Sequence, residues 1–292
     1  MKKNLLFAVL ILSLLSLSVL NASAAEYEPG YVFYNQEFKD IVTSISDAGL
    51  TLDPANNEKY KCEINQNGYI EVRAAGIGNP VYNKFILPDI LPTDIGTYTV
   101  ETKFRFIGNN NGDNGGFIIG FGYGTDNVQD CNLRYNTGGN GSGKFDKFGN
   151  TALIDVNDEW LVGENGYGKW ITLKVSIKDY EITKATVIVE GNNPITVTGD
   201  KTKVGAGRLF IMQGYIDAEI SSIKVVNGMD YTSYSGEYAT KFYYNGETAN
   251  TTESTDTSAQ TSDSYIPMLI VGFLVSSVIA VALTVKRRIF VR

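Results

Sequence analysis

Residues 98–123 constrain the fold of this chain more than any other stretch. They read Y-T-V-E-T-K-F-R-F-I, then G-N-N-N-G-D-N-G-G, then F-I-I-G-F-G-Y. In the first arm, side chains of two classes alternate, which is typical of a strand with one buried and one exposed face. The second arm is apolar at nearly every residue. Because the Asn/Gly/Asp run between them favours a turn, the two arms are predicted to form a long-looped β-hairpin.

The same strand pattern recurs along the chain to residue 226. Residues 60–64 and 69–74 flank the turn Asn65-Gln66-Asn67-Gly68 and are predicted to form a hairpin. Residues 170–178 alternate, and 185–190 are predicted to pair back on them. Further strands are predicted at 31–38, 81–87, 132–136, 195–197, 208–213 and 218–226, with a Gly-rich loop at 137–147. Turns about every ten residues and few helical windows indicate an all-β, two-sheet antiparallel sandwich.

Both ends of the chain carry apolar segments that predict secretion and membrane anchoring. Lys2 and Lys3 precede an apolar run, and small residues at 22–25 fit a cleavage site, so residues 1–25 are predicted to be a signal peptide. Residues 266–285 contain no charge. At about 1.5 Å per residue they span about 30 Å, so they are predicted to cross a bilayer as one helix.

The segments on either side of this predicted span set its orientation. Residues 286–292 are rich in Lys and Arg, which places them in the cytoplasm. Residues 245–265 are rich in Ser and Thr and are predicted to be a flexible stalk. We therefore expect a single-pass plasma-membrane protein with an extracellular domain at residues 26–244. This tail resembles those of Gram-positive bacterial surface proteins, without their Leu-Pro-x-Thr-Gly sorting signal.

The charge distribution limits the class of partner. Two of the 25 basic residues lie in the signal peptide and four in the tail, whereas all 32 acidic residues lie between them. The segment between therefore carries a net charge of −13. Nucleic acids and anionic lipids need clustered positive charge, so neither is expected as a partner of this domain.

The two cysteines leave two alternatives. Cys62 and Cys131 both share the strand parity of apolar neighbours, so both side chains are predicted to point inward. Outside the cell a disulfide is permitted, and two buried thiols fit the sequence equally well.

The strand motifs between Phe33 and Gly228 together resemble a concanavalin A-like jelly roll, the fold of legume lectins, laminin G-like modules and many glucanases. The motifs are Y-T-V-E-T-K-F-R-F, G-G-F-I-I-G-F-G, W-I-T-L-K-V-S-I-K, V-I-V-E-G, G-R-L-F-I-M-Q-G and A-E-I-S-S-I-K-V-V. In relatives an Asp often stands where Ser221 and Ser222 lie, so the resemblance does not carry a structural calcium ligand to this position.

Residue types limit the available chemistry. The chain has no histidine, which excludes Ser-His and Cys-His nucleophiles and His-based zinc sites. Glycosidases need two carboxylates, and the Glu-x-Asp-x-x-Glu strand of laminarinase-like relatives is absent. Asp155, Asp158 and Glu159 cluster in a predicted loop, and Glu101 with Glu190 is an alternative pair. A glycoside hydrolase is therefore the alternative function rather than the first.

Binding of a glycan or another cell-surface ligand, without catalysis, is the function that we expect. Sugars bind to aromatic rings and planar polar side chains on a sheet face or in its rim loops. A structural or adhesive envelope protein is a third interpretation. Residues with outward parity or in rim loops give the predicted ligand site: Glu101, Lys103, Arg105, Arg134, Trp160 and Trp170. No cofactor is required, although the oxygen-rich loop at Asn109, Asn111 and Asp113 has the ligands of a weak calcium site.

Overall fold

Antiparallel strands are the main secondary structure of the residues that the computed structural model describes. The described residues are 27–39, 43–53, 60–74, 82–108, 116–136, 142–149, 151–157, 167–199, 201–214 and 216–243. They belong to one unit of the chain, Met1–Gly246. The predicted signal peptide, stalk, membrane span and tail lie outside these residues. Within the described ranges, no helix is long and apolar enough to cross a membrane.

The first sheet contains the strands that begin and end the described chain. Its members are β1 (Val32–Glu37), β3 (Tyr60–Ile64), β4 (Ile70–Ala74), β6 (Tyr98–Gly108), β11 (Ile171–Lys178), β12 (Glu181–Val189), β13 (Ile195–Thr198) and β15 (Asp217–Asn227). Their spatial order is β13-β12-β11-β6-β15-β4-β3, and β1 also pairs with β15.

The second sheet packs against the first. Its members are β2 (Thr51–Leu52), β5 (Tyr82–Ile86), β7 (Gly116–Tyr123), β8 (Gln129–Asn136), β9 (Ser142–Phe148), β10 (Thr151–Asn157) and β14 (Arg208–Gly214). Their spatial order is β10-β9-β8-β7-β14-β5-β2. Short 3-10 turns at Ser46–Ala48 and Glu237–Ala239 are the helical elements among the described residues. The prediction of an all-β, two-sheet antiparallel sandwich is therefore confirmed.

The core lies between the sheets and follows the alternation seen in the sequence. On β11, Ile171, Leu173, Val175 and Ile177 are all fully buried. At the centre, the ring of Phe104 on β6 stacks on that of Phe117 on β7, with centroids 3.7 Å apart and planes 7° apart. The buried apolar area supplies most of the favourable free energy of folding.

The predicted hairpin of residues 98–123 is wrong, because its two arms lie in different sheets. Strand β6 is flanked by β11 and β15, whereas β7 is flanked by β8 and β14. Both edges of each arm already bond to other strands, so neither has an edge left for the other. The arms instead contact each other face to face across the core, as Phe104 and Phe117 show.

Other strand predictions have mixed outcomes. The hairpin of β3 and β4 is confirmed, with Ile64 opposite Ile70. The Gly-rich loop predicted at 137–147 is wrong from residue 142 onward, because β9 begins there and bonds to strands on both edges. Asp155 likewise lies on β10 rather than in a loop. Glycine at 143 hides the alternation, and hydrogen bonds to two neighbours hold the strand without it.

The structure places the two cysteines in different sheets as free thiols. Cys131 on β8 is buried, as its parity predicts. Cys62 on the edge strand β3 is half-buried and packs against the core. Burial raises the pKa of both thiols, that of Cys131 most strongly. Both therefore stay protonated and weakly reactive at neutral pH.

Two buried tyrosines predict alkaline sensitivity. Burial, with a smaller effect of a neighbouring tyrosine, raises the pKa of Tyr34 and Tyr98 above the usual value of about 10. The folded state holds these protons more tightly, so their contribution to stability is complete below pH 10 and falls as the pH rises further. We expect the urea midpoint of unfolding to decrease as the pH rises beyond about 10. In Tyr34→Phe this decrease with pH should be smaller. A midpoint that stays constant to pH 12 would contradict this.

Candidate functional site

A chain of charged side chains crosses the outer face of the first sheet, the face turned away from the second sheet. Arg105 on β6 bonds to Glu219 on β15 through Nε at 2.6 Å and Nη2 at 2.5 Å. The amide of Asn65 donates to Glu219 at 2.8 Å and to Glu71 at 3.1 Å. Glu71 also accepts a hydrogen bond from Arg73. Each carboxylate is thus held by protein donors, which indicates a structural network.

Aromatic rings cover one end of this network. The guanidinium carbon of Arg105 lies 4.6 Å from the ring centroid of Trp170, and Lys103 Nζ lies 5.5 Å from it. Tyr69 meets the same indole edge-to-face at 5.0 Å. Two cations and Tyr69 therefore contact the indole of Trp170, which is half-buried.

Glu101 lies farther along the same face, beneath two tyrosines. Its carboxylate accepts hydrogen bonds from the hydroxyl groups of Tyr231 and Tyr234, and Lys174 Nζ lies 3.3 Å away. Desolvation and then the negative charge of Glu101 raise the pKa of Tyr234 to about 12. Glu101 is therefore buried and fully engaged by the protein itself.

The outer face of the second sheet is different, because it carries a second apolar cluster. Ile86 on β5, Ile118 on β7 and Phe210 on β14 are buried there, away from the main core. Tyr123 and Met212 pack against them and are half-exposed. We call these five residues the apolar shelf.

Glycines and an unpaired amide lie beside the apolar shelf. Gly120 leaves room for the ring of Phe210, because a Cβ at Gly120 would overlap it. Asn132 on β8 stands opposite Ile118, and its side-chain oxygen lies over Gly116. This oxygen is buried and finds no hydrogen-bond donor among the residues that the structure describes. A buried acceptor without a donor costs about 1–3 kcal/mol, so such an atom in a native protein indicates a missing partner.

The residues predicted as one ligand site do not come together. Glu101, Lys103, Arg105 and Trp170 lie on the outer face of the first sheet, whereas Arg134 lies on that of the second, opposite Gly116 and Lys144. The sandwich core separates these two faces. Trp160 and the predicted calcium ligands Asn109, Asn111 and Asp113 lie outside the described residues. Within the described ranges, no group of three or more acidic or cysteine side chains is placed to hold a metal ion.

The sequence did not reveal the apolar shelf. Strands β7 and β14 are apolar on both faces, so parity could not show which side chains point away from the core. Parity also could not show that Glu71 and Glu219 are neighbours, because they become opposite partners only when β4 pairs with β15. Arginines engage both carboxylates, Arg73 that of Glu71 and Arg105 that of Glu219.

No protein-family profile and no curated sequence matches this chain. Among solved structures, lectin I-B4 from Griffonia simplicifolia is similar at 10% identity, with 67% of this chain and 99% of the lectin covered and a TM-score of 0.41. Carbohydrate esterase vb_24B_21 from bacteriophage phi24B is similar at 9% identity over 68% of this chain and 99% of the esterase, with a TM-score of 0.44. A xylan beta-1,4-xylosidase from Bacillus halodurans is similar at 14% identity over 69% of this chain and 40% of the enzyme, with a TM-score of 0.43.

By their names, one of these three neighbours is a lectin and the other two are enzymes. The two-sheet sandwich itself rests on the strand pairing described above. At these identities and TM-scores, the likeness carries no argument about this chain's fold or ligand.

Proposed function

We propose that the protein binds a glycan or a similar hydroxyl-rich surface ligand, without catalysis, on the outer face of the second sheet. The observation that carries the proposal is the buried side-chain oxygen of Asn132, which has no donor among the described residues. A hydroxyl group of a ligand supplies such a donor. The amide of Asn132 then gains the hydrogen bond that the described residues do not provide.

The apolar shelf beside Asn132 supplies the apolar surface that a sugar site needs next to its polar group. A pyranose has apolar C–H faces and polar hydroxyl edges, so it binds where a ring or aliphatic surface adjoins planar polar groups. Met212 and Ile118 stand on the same row of the sheet as Asn132, and Phe210 follows two residues along β14. Because Ile118 and Phe210 are buried, a ligand lying along this row contacts the half-exposed Met212 and Tyr123 with one face and Asn132 with one edge.

The outer face of the first sheet supports binding less well. Its glutamates already accept hydrogen bonds from arginine, tyrosine or asparagine side chains. A ligand there would have to break these contacts. A hydrolase acting through Glu71 and Glu219 would have to release both from Arg73 and Arg105 as well.

Asn132→Ala tests the proposal with two readouts. We expect affinity for a glycan found on an array to fall about five- to tenfold, since one hydrogen bond is worth about 1 kcal/mol. We also expect the free energy of unfolding to stay level or to rise by up to about 1 kcal/mol, because an unpaired buried oxygen is removed. Gly116→Ala should weaken binding similarly, because its Cβ displaces the Asn132 amide. Calorimetric titration and urea melts measure both quantities.

Trp170→Ala is the matched control, because Trp170 lies on the opposite face. Loss of binding in this variant, with Asn132→Ala unaffected, would move the site to the first sheet. Product release from any bound glycan would favour the hydrolase alternative.

We also propose that residues 266–285 anchor the domain in the plasma membrane, as their length and lack of charge support. A chain that ends before residue 266 should then carry its binding activity into the medium.

A further inference from the structure

The segment after β15 contacts one strand after another on the outer face of the first sheet. We call Met229–Tyr243 the strap. It starts over β12, where Lys184 Nζ lies 2.7 Å from Asp230. It continues over β11 and β6, where the ring of Tyr231 lies 5.8 Å from Lys174 Nζ and its hydroxyl bonds to Glu101.

The second half of the strap reaches β15 and β1. The ring of Tyr234 lies 4.1 Å from Lys224 Nζ on β15. Ser235 then exchanges backbone hydrogen bonds with Gly30 and Val32, each 2.9 Å long. Finally, Asn35 on β1 bonds to the carbonyl groups of Tyr238 and Lys241 and accepts from the backbone of Tyr243. The strap therefore makes separate contacts with one strand after another.

Polar contacts hold most of the strap in place, and Tyr243 at its end also packs against the core and the ring of Tyr34. None of the fifteen residues of the strap is buried, and those from Thr232 to Glu237 are exposed. The strand just before it is different, since eight of the eleven residues of β15 are buried and β15 bonds along its length to β6. Stability should therefore drop sharply at Gly228, because segments with few buried apolar contacts open at low free energy.

We propose that the strap is a releasable tether, which peels from the sheet when the chain beyond Tyr243 is pulled while the sandwich stays folded. The chain continues from Tyr243 to residue 292, so a load applied on that side reaches the sandwich through the strap. The contacts at β1, β15, β6 and β12 then lie in series and break one at a time. By contrast, β15 is bonded on both edges and resists as a whole.

The geometry sets the expected extension. Fifteen extended residues reach about 50 Å, whereas the strap now crosses four strand spacings, or about 19 Å. Its release should therefore lengthen the chain by about 30 Å. This step is far shorter than the extension from unfolding the sandwich, so the two events are distinguishable in one trace.

Single-molecule force spectroscopy on the full chain, with handles at its two ends, tests this. We expect a reversible step of about 30 Å at low force before the main unfolding event. Tyr231→Phe with Tyr234→Phe removes both hydroxyl bonds to Glu101 and keeps both rings. This variant should lower the force of the short step by at least a third and leave the main event unchanged.

Tyr69→Phe is the matched control, because Tyr69 lies on the same outer face away from the strap and should leave both events unchanged. A trace without a short step, or a short step that the double variant leaves at the same force, would overturn the proposal. A double variant that also lowers the main unfolding force would overturn it too, since the strap would then belong to the cooperative fold. The proposal does not depend on glycan binding.

Discussion

Replacing Phe104 by alanine is expected to lower the free energy of unfolding by about 3–5 kcal/mol. Phe104 is fully buried, and its ring stacks on Phe117 of the opposite sheet at 3.7 Å. It also meets Phe106 edge-to-face at 5.3 Å. The variant loses both the transfer free energy of the ring and the contacts that line the cavity left behind. Because typical domains have only about 5–15 kcal/mol of stability, this loss brings the sandwich close to unfolding.

Urea melts followed by circular dichroism measure this loss. Phe104→Leu keeps most of the volume and should cost clearly less than alanine. Lys103 directly precedes Phe104 and is exposed. Lys103→Ala should therefore change the free energy of unfolding by less than about 0.5 kcal/mol. A Phe104→Ala loss below about 1 kcal/mol would mean that the two sheets do not pack as described.

Arg105→Ala is expected to cost about 2–3 kcal/mol, the second-largest effect, although Arg105 points away from the core. Its partner Glu219 has only 7% of its side chain exposed, so loss of the arginine leaves a largely buried carboxylate without its main donor. The guanidinium also covers Trp170, and that packing is lost too. We place the cost below that of a fully buried pair, because 26% of the Arg105 side chain is exposed.

A double-mutant cycle with Glu219→Gln measures the coupling between the two side chains. Arg73→Ala is the matched control, since Arg73 also contacts a glutamate but has 51% of its side chain exposed. It should cost less than about 1 kcal/mol. Since Glu71 and Glu219 are buried to nearly the same degree, equal losses for the two arginine variants would show that exposure of the arginine does not decide the effect.

The positions of the strands could be predicted from the sequence, because alternation is a local property. The alternating residues of β11 predict one buried and one exposed face without reference to any other strand. The turn at Asn65–Gly68 likewise fixes the β3–β4 hairpin through residues close in sequence. Strand β9 was missed because glycine interrupts its pattern, and bonds to two distant neighbours hold it in the sheet.

The candidate site was predicted less well than the strands. Parity gives the side of a strand on which a residue lies, but it does not give the sheet to which the strand belongs. Arg105 and Arg134 both have outward parity, yet they lie on opposite faces of the sandwich. The apolar shelf was not predicted because both faces of β7 and β14 are apolar, and only the packing shows which face is the core.

The sequence by itself determined the all-β class, most strand positions and the inward side chains of the alternating strands. Tertiary structure decided which strands pair, and so it placed the arms of residues 98–123 in different sheets. It also decided that Glu101 is covered by tyrosines 130 and more residues away, while the oxygen of Asn132 has no described donor. The physical reason is that backbone hydrogen bonds are nearly the same for any two strands. The choice among partners therefore depends on how all the side chains fill one core.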